Sequence, residues 1–350
     1  MSLRFSSSRS LALPSNLTLP SASQVTALYT RSPRLLRLLG LYALFTCGRT
    51  VLQRLFFSKS LTRRLAIVTG AGSGIGRLLA IQLAVKEGML VACWDLNESS
   101  AKETADMING QCAAGGAPKA RAYNCDVSNY DAVVSAHAAT VKDFAGQAVY
   151  LLVNNAGIVS GKSLLDVPPS LAQKTMDVNV SAHFWTTKAC LPGMIARKEG
   201  HVVTVASAAG LVGVAGLCDY CASKYGARGF NEALRLELLK NGAGINAIGL
   251  WPDRGVATTS ICPYYIATGM FEGVSCPFPV SLLLPILKPD YVVGMMVRAI
   301  KTNVDEMRLP NILYWVELLH VALPIWLKDR IFGIVGITSS MDHFTQTRKH

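Results

Sequence analysis

Short apolar runs alternate with amphipathic stretches over most of the chain, beginning at Leu65. The runs have the length of buried strands, and the stretches between them place apolar residues at helical spacing. Strands that alternate with helices in this way form a parallel sheet covered on both faces. The pattern therefore predicts a doubly wound α/β domain. Its predicted strands are 65–69, 90–94, 120–124, 150–153 and 201–205. Its predicted helices are one that follows a glycine-rich turn to about residue 86, and then 99–109, 131–144, 171–191 and 220–239.

Residues 1–64 differ from the rest of the chain in charge. They hold ten Lys or Arg and no Asp or Glu, whereas residues 65–350 carry 24 basic and 22 acidic residues. Ten of the twelve net positive charges therefore lie in a leader, which disfavours nucleic acid as a partner of the nearly neutral body. Residues 1–33 have the composition of a mitochondrial or plastid transit peptide, or of a disordered cytosolic tail.

Within the leader, residues 35–57 form an apolar segment. Its uncharged part, residues 38–48, is shorter than the roughly 20 apolar residues that span a bilayer. Flanking arginines can extend towards lipid headgroups, so an interfacial or hairpin membrane anchor is expected. A helix packed on the domain is the alternative.

A second apolar stretch covers residues 311–337, within a C-terminal extension at 309–350. Glu317, His320 and Pro324 interrupt it and argue against a full membrane span. We interpret the extension either as a lid that dips into a lipid surface or as a pair of covering helices.

Composition adds two constraints. With 51% hydrophobic residues the chain can bury a sizeable core. Its nine cysteines are odd in number and scattered, which favours reduced thiols facing the cytosol over a disulfide framework. Cys218 and Cys221 form a Cys-x-x-Cys, but no second ligand pair lies nearby, so no metal site is predicted.

A glycine-rich turn, Thr-Gly-Ala-Gly-Ser-Gly-Ile-Gly at 69–76, connects the first predicted strand to the first helix. Glycine lets the backbone approach a pyrophosphate, and the N-terminus of a helix presents N–H groups and a positive dipole end to it. This context predicts a Rossmann-type dinucleotide site. Its expected members are Gly70, Ser73, Gly74, Ile75 and Gly76.

Asp95 ends the second predicted strand. A carboxylate there accepts hydrogen bonds from the adenosine ribose hydroxyls and repels a 2′-phosphate, which favours NAD over NADP. Ser73 adds no positive charge that would favour the phosphorylated cofactor. An ordinary cap at the end of the strand is the alternative role for Asp95.

Tyr220 and Lys224 are four residues apart in a predicted helix and so share one face. A phenol beside an ammonium has its ionised form stabilised, so the pKa of Tyr220 is expected to fall. Such a pair can donate and accept a proton in alcohol/carbonyl chemistry. Two histidines in the same half, His183 and His201, lie in apolar surroundings and are expected to be structural.

Together these motifs resemble the short-chain dehydrogenase/reductase family over about residues 65–308. Besides the glycine turn, the resemblance rests on Cys-Asp-Val at 125–127, Asn-Asn-Ala-Gly at 154–157 and a Tyr-x-x-x-Lys. It implies the catalytic residues Asn179, Ser207, Tyr220 and Lys224. The cofactor contacts that it implies, in addition to Tyr220 and Lys224, are Asp126, Val127, Asn154, Ala156, Gly157, Pro263 and Thr268.

The resemblance also implies a role for each catalytic residue. Ser207 and Tyr220 contact the substrate: Ser207 hydrogen-bonds its oxygen and Tyr220 exchanges the hydroxyl proton. Lys224 lowers the tyrosine pKa and holds the nicotinamide ribose. Asn179 anchors a water that relays protons from Lys224 to solvent.

Three segments resemble one branch of the family, the membrane-associated retinol and 17β-hydroxysteroid dehydrogenases: residues 94–97, 262–271 and 287–291. This implies an enzyme that interconverts a hydroxyl and a carbonyl on a hydrophobic lipid, using NAD rather than NADP. The expected partners are a membrane or lipid-droplet surface and a second copy of the chain. The expected location is the endoplasmic reticulum or lipid droplets with the catalytic domain facing the cytosol, or alternatively the mitochondrion. Competing hypotheses are an NADPH-dependent keto-lipid reductase and a non-catalytic lipid-surface scaffold.

The sixth strand has two candidates, residues 244–252 and 256–263. We choose the second, because Thr268-Gly269-Met270 then follows Pro263 at the family's spacing for the nicotinamide carboxamide contact. Residues 241–255 are then expected to form an extra loop near the active-site edge. Tyr264 stands where the family has a glycine.

Overall fold

The computed structural model describes residues 58–112, 119–244, 255–271, 273–274, 281, 284–334 and 341. The apolar leader segment 35–57 and the predicted anchor lie outside the described residues.

A seven-stranded sheet forms the centre of the domain, in the order β3-β2-β1-β4-β5-β6-β7. Every strand pair is parallel, which confirms the predicted fold class. The strands are β1 Leu65–Thr69, β2 Leu90–Asp95, β3 Ala120–Asn124, β4 Val149–Asn154, β5 Glu199–Val205, β6 Gly255–Pro263 and β7 Glu306–Leu309.

Helices cover both faces of the sheet. They are α1 Gly74–Val85, α2 Glu98–Gln111, α3 Tyr130–Asp143, α4 Pro169–Met176, α5 Ala182–Arg197, α6 Cys218–Lys240, α7 Pro289–Thr302, α8 Leu313–Ala322 and α9 Ile325–Ile334. Ala66 and Val68 of β1 pack with α1, α2 and α7, whereas Leu65 and Ile67 pack with α3, α5 and α6. Successive strand residues point to opposite faces, so a strand covered on both sides is apolar throughout.

The predicted helix 171–191 is instead two helices, α4 and α5, joined by a π turn at Asp177–Ser181. The break coincides with a tertiary contact, because the buried side chain of Asn179 hydrogen-bonds the backbone of Ile158. Such turns are concentrated at functional sites. Helical spacing alone did not indicate the break, and α7 and β7 were not predicted at all.

The second candidate is the sixth strand, as predicted: β6 pairs with β5 and β7. The expectation that residues 241–255 lie near the active-site edge is wrong for the described ends of that segment. Gly244 bridges to Val256 at the start of β6, and Gly255 pairs with Glu199 at the start of β5. Both ends therefore lie at the amino edge of the parallel sheet.

The C-terminal extension contributes α8 and α9. An ion-pair network joins α8 to the domain, with Glu317 bound to Arg228 at 2.7 Å and to Arg308 at 2.5 Å. No residue of α9 is buried within the described part of the chain, and Trp326 and Ile334 are 61% and 80% exposed. Among the described residues, no helix combines the length and apolarity needed to cross a membrane.

Candidate active site

A cleft of about 350 Å³ runs along the carboxyl edge of the sheet. Open parallel sheets bind ligands at this edge, beyond the ends of their strands. Most of the residues predicted from the motifs line it. They are Gly70, Ser73, Gly74, Ile75, Gly76, Asp95, Asp126, Val127, Ala156, Gly157, Ser207, Tyr220, Lys224, Pro263 and Thr268.

The glycine turn brings backbone close to backbone at the start of α1. Gly70 and Gly74 have φ angles of +65° and +56°, which favour glycine. A Cβ on Gly76 would lie 2.1 Å from the Gly70 carbonyl oxygen. The first turn of α1 faces the cleft, and a helix N-terminus of this kind suits a pyrophosphate. The turn therefore fits the phosphates of a dinucleotide.

Asp95 ties the end of β2 to the glycine turn. Its Oδ2 accepts a hydrogen bond from the Gly72 N–H at 2.8 Å, and its Oδ1 accepts one from the Asn97 N–H at 2.9 Å. The carboxylate thus caps local backbone and also lines the cleft. A capping role and a contact with ribose are compatible in this geometry, because each carboxylate oxygen has two lone pairs.

Asp126 lies in the same cleft with a partner that the sequence did not indicate. Its carboxylate accepts hydrogen bonds from the Ser128 hydroxyl at 2.6 Å and from Lys174 Nζ at 3.1 Å. Burial opposes ionisation of Asp126, but these partners outweigh it and lower its pKa. Asp126 is therefore a carboxylate at neutral pH. Lys174 also lines the cleft.

The two asparagines of the Asn-Asn-Ala-Gly motif have different roles. The Asn154 side chain does not line the cleft: it is buried, and its Oδ1 accepts a hydrogen bond from the Thr186 hydroxyl at 2.7 Å. The side chain of Asn154 therefore belongs to the core, and the predicted cofactor contact of this residue stays a prediction. Asn155 does line the cleft, and its Nδ2 donates to the Thr69 carbonyl at 2.8 Å. The two side chains differ because neighbouring residues on an extended chain point in opposite directions.

Ser207 and Tyr220 meet at the opposite end of the cleft from Asp95. Tyr220 is 4% exposed, and burial raises the pKa of its phenol while a hydrogen bond with Ser207 opposes the rise. The expected net fall in the pKa of Tyr220 is therefore not found in this geometry, and the lowering effect of Lys224 stays a prediction. Lys224 Nζ lies 5.6 Å from the centroid of the Tyr220 ring, and desolvation of the phenol dominates.

Lys224 lines the cleft but is itself almost completely buried. Its Nζ donates to the Val205 carbonyl at 2.9 Å, and burial lowers its pKa to about 8. A lysine whose pKa lies this close to neutrality can exchange protons at physiological pH. It therefore belongs among the candidates for proton transfer in the site.

The low pKa of Lys224 predicts a pH-dependent contribution to stability. The ordinary pKa is 10.5 and the folded value is about 8, so between these values the unfolded chain binds more protons. The stability contribution of this group therefore rises with pH across that window. In urea unfolding without added cofactor, we expect the stability of Lys224→Met relative to the original protein to be highest near pH 7 and to decline towards pH 10. Lys224→Arg, which stays charged, should be the least stable of the three at pH 10. If the free energy of unfolding of Lys224→Met differed from that of the original protein by the same amount at every pH, this prediction would be contradicted.

Asn179 fixes the loop after β4 beside Lys224. Its Oδ1 accepts from the Ile158 N–H, and its Nδ2 donates to the Ile158 carbonyl and the Ser223 hydroxyl, each at 2.9 Å. A Cβ on Gly157 would lie 3.2 Å from Asn179 Oδ1 and 3.6 Å from Lys224 Nζ. Gly157 therefore leaves room for both polar groups. The water-relay role of Asn179 stays a prediction.

An apolar aromatic wall, Tyr265, Met270 and Phe271, packs with Tyr220 at the catalytic end of the cleft. Met270 and Phe271 of this wall line the cleft itself. The rings of Phe271 and Tyr220 meet edge-on, with centroids 5.8 Å apart. Tyr264, at the family's glycine position, also lines the cleft. Sequence reasoning missed this wall, although the aromatic residues flanking Thr268 were a usable signal.

His183, His201, Cys218 and Cys221 do not line the cleft, whereas Cys125 does. His183 is buried, which lowers its pKa to about 3, and His201 hydrogen-bonds Thr259 and Lys59. Neither lines the cleft. Cys218 and Cys221 are free thiols, and the described residues hold no cluster of metal-ligating side chains.

Comparison with known proteins agrees with this geometry. The sequence model of the short chain dehydrogenase family matches residues 64–276. The chain is 42% identical to epidermal retinol dehydrogenase 2 of Homo sapiens, over 83% of this chain and 88% of that protein. It is 39% identical to retinol dehydrogenase 10-B of Danio rerio, over 83% and 87% of the two chains.

Among solved structures, a short-chain dehydrogenase/reductase from Burkholderia phymatum in complex with NAD superposes with a TM-score of 0.63 and 25% identity. The match covers 75% of this chain and 95% of that one. The chain therefore belongs to the short-chain dehydrogenase/reductase family and is an NAD(P)-dependent oxidoreductase of its retinol dehydrogenase branch.

Proposed function

We propose that this protein interconverts a hydroxyl and a carbonyl on a hydrophobic substrate of the retinoid class, with NAD as its cofactor. The observation that carries the proposal is the apolar aromatic wall, Tyr265, Met270 and Phe271, which stands against Tyr220 at one end of a dinucleotide cleft. A pocket lined by apolar and aromatic groups with a few polar ones at the reacting end suits a lipid alcohol. The names of the retinol dehydrogenase relatives support the same class.

In the proposed mechanism the residues of this chain hold the substrate oxygen and move its proton. Tyr220 carries the proton to or from that oxygen, and Ser207 hydrogen-bonds it. When bound, the nicotinamide accepts or supplies a hydride. Lys224 would hold the cofactor near Tyr220, Asn155 and the first turn of α1 would hold it at the glycine turn, and the apolar wall would exclude water. General acid–base help of this kind is worth about 10²–10⁴-fold in rate.

The proposed substrate class is tested by assaying the full-length protein in its native membranes. The panel is all-trans-retinol, a 17β-hydroxysteroid and a straight-chain fatty alcohol, each with NAD⁺. We expect the highest kcat/KM for retinol. A higher kcat/KM for the steroid would assign the enzyme to steroids. No turnover of any of the three would overturn the proposed lipid specificity.

Asp95 carries the proposed preference for NAD. Its carboxylate faces the cleft and would repel the 2′-phosphate of NADP. In Asp95→Asn we expect the ratio of kcat/KM with NAD⁺ to that with NADP⁺ to fall about tenfold, equivalent to roughly 1.4 kcal/mol. The amide keeps an oxygen that can accept from the Gly72 N–H. An original enzyme that prefers NADP⁺ would contradict the proposal and favour the keto-lipid reductase.

We also propose that the protein works at a lipid surface, on the endoplasmic reticulum or lipid droplets, with the catalytic domain facing the cytosol. The acid-free basic leader supports this. So do the exposed apolar side chains of α8 and α9, among them Trp315 and Trp326 at 55% and 61% exposure.

A homodimer is the proposed assembly, supported by exposed Phe184 on α5 and Leu236 on α6.

A further inference from the structure

Met341 belongs to the C-terminal extension, yet it is packed inside the domain. It is 9% exposed and lies in one apolar cluster with Val159, Leu217 and Tyr220. The match to the short chain dehydrogenase family ends at residue 276. A side chain from beyond the family's common core therefore reaches the neighbourhood of the catalytic tyrosine.

Two loops meet at Met341. Its Sδ accepts a hydrogen bond from the Tyr265 hydroxyl at 3.6 Å, and Tyr265 lies in the segment that follows β6. On the other side, a Cβ built on Gly216 would lie 3.5 Å from Met341 Cβ. Gly216 precedes α6, the helix that carries Tyr220. Met341 thus bridges the two segments that enclose the catalytic end of the cleft.

The contact continues through aromatic rings to the reacting end. The Tyr265 and Phe271 rings meet edge-on with centroids 5.2 Å apart, and Phe271 meets Tyr220 in the same way at 5.8 Å. Edge-on aromatic pairs have a preferred geometry, so the position of Phe271 relative to Tyr220 depends on where Tyr265 is held. Met341 supports Tyr265 on its far side.

We propose that Met341 is a positioning residue that holds Tyr265 and Phe271 against Tyr220 and so sets the width of the substrate chamber, the catalytic end of the cleft. The inference rests on the proposed hydrophobic substrate. A close chamber wall discriminates against bulky substrates, and small changes of volume in an apolar pocket alter relative kcat/KM by about 10–200-fold. The C-terminal extension thereby determines substrate selectivity as well as covering the domain.

The test compares Met341→Ala with Met107→Ala in the full-length protein, using retinol as the bulky alcohol and 1-decanol as the slender one. Met107 is a 39% exposed methionine on α2 and serves as the matched control. For Met341→Ala we expect the ratio of kcat/KM for retinol to that for 1-decanol to rise about tenfold, with the KM for NAD⁺ within about twofold of the original. Met341→Leu, which restores the volume but not the sulfur acceptor of Tyr265, should bring the ratio back to within about threefold of the original. Met107→Ala should leave it unchanged.

An unchanged ratio in folded Met341→Ala, or an equal loss of kcat/KM for both alcohols, would overturn the proposal. If Met341→Ala does not fold, Tyr265→Phe decides instead, because it removes the hydroxyl-to-sulfur contact and keeps the ring. It should raise the ratio about threefold if the bridge sets the width of the chamber, and an unchanged ratio there would refute it. If the original protein oxidises other alcohols but not retinol, the retinoid proposal fails. The ratio between two accepted alcohols of different width then still tests Met341.

Discussion

Tyr220→Phe is expected to lower kcat by at least about 10²-fold, the lower end of what acid–base help contributes. The change removes only the hydroxyl that is buried beside Ser207, and the ring that packs edge-on with Phe271 stays in place. No group then remains at the position of the Tyr220 hydroxyl to donate a proton to the substrate oxygen or accept one from it. Cofactor affinity should stay within about threefold, because the glycine turn and Asp95 are untouched.

Tyr225→Phe is the matched control for this experiment. Tyr225 lies on the same helix, α6, and is 41% exposed, so loss of its hydroxyl should leave kcat within about twofold of the original. Steady-state rates with retinol, together with titration of NAD binding, separate catalysis from cofactor affinity. Comparable kcat in Tyr220→Phe and the original protein would remove Tyr220 from the mechanism.

The sheet and the glycine turn were predictable because each is specified locally. β1 is apolar at its first four positions because both faces are covered. The Thr-Gly-x-x-x-Gly-x-Gly turn at 69–76 needs positive φ angles and close backbone approach that few other sequences allow. The Tyr220–Lys224 spacing predicts a shared helix face for the same reason. These features depend on residues near one another in the chain.

What sequence reasoning missed depends on contacts between distant residues. The π turn is held by Asn179 against Ile158, and the side chains of Asn154 and Asn155 are divided between core and cleft by the strand that precedes them. The pKa of Tyr220 was expected to fall, but the depth of its burial, which no local pattern reports, makes it rise. Met341 reaches the site from 121 positions further along the chain, and only the tertiary structure brings it there.

Among glycine-to-alanine substitutions in the turn, Gly76→Ala should cause the largest loss of NAD affinity. The new Cβ would lie 2.1 Å from the Gly70 carbonyl oxygen and 2.5 Å from Asn155 Nδ2. The carbonyl is backbone and cannot move aside, while Asn155 is held by its hydrogen bond to the Thr69 carbonyl. The turn must therefore open, which displaces the first turn of α1 from the position that suits a pyrophosphate.

Overpacking of this kind costs about 1–3 kcal/mol or more. We therefore expect NAD to bind at least about 100-fold more weakly, equivalent to roughly 2.7 kcal/mol, and the melting temperature to fall. Gly110→Ala is the matched control, because Gly110 lies in α2 with nothing within 4 Å of the added Cβ, and alanine suits a helix better than glycine. Gly74→Ala separates the effect of backbone strain from that of a steric clash. Its Cβ also meets nothing within 4 Å, but alanine at a φ of +56° is strained by about 1–2 kcal/mol. NAD affinity should therefore decline in the order Gly110→Ala, Gly74→Ala, Gly76→Ala. Equal affinities for Gly76→Ala and Gly110→Ala would show that the turn does not hold the cofactor.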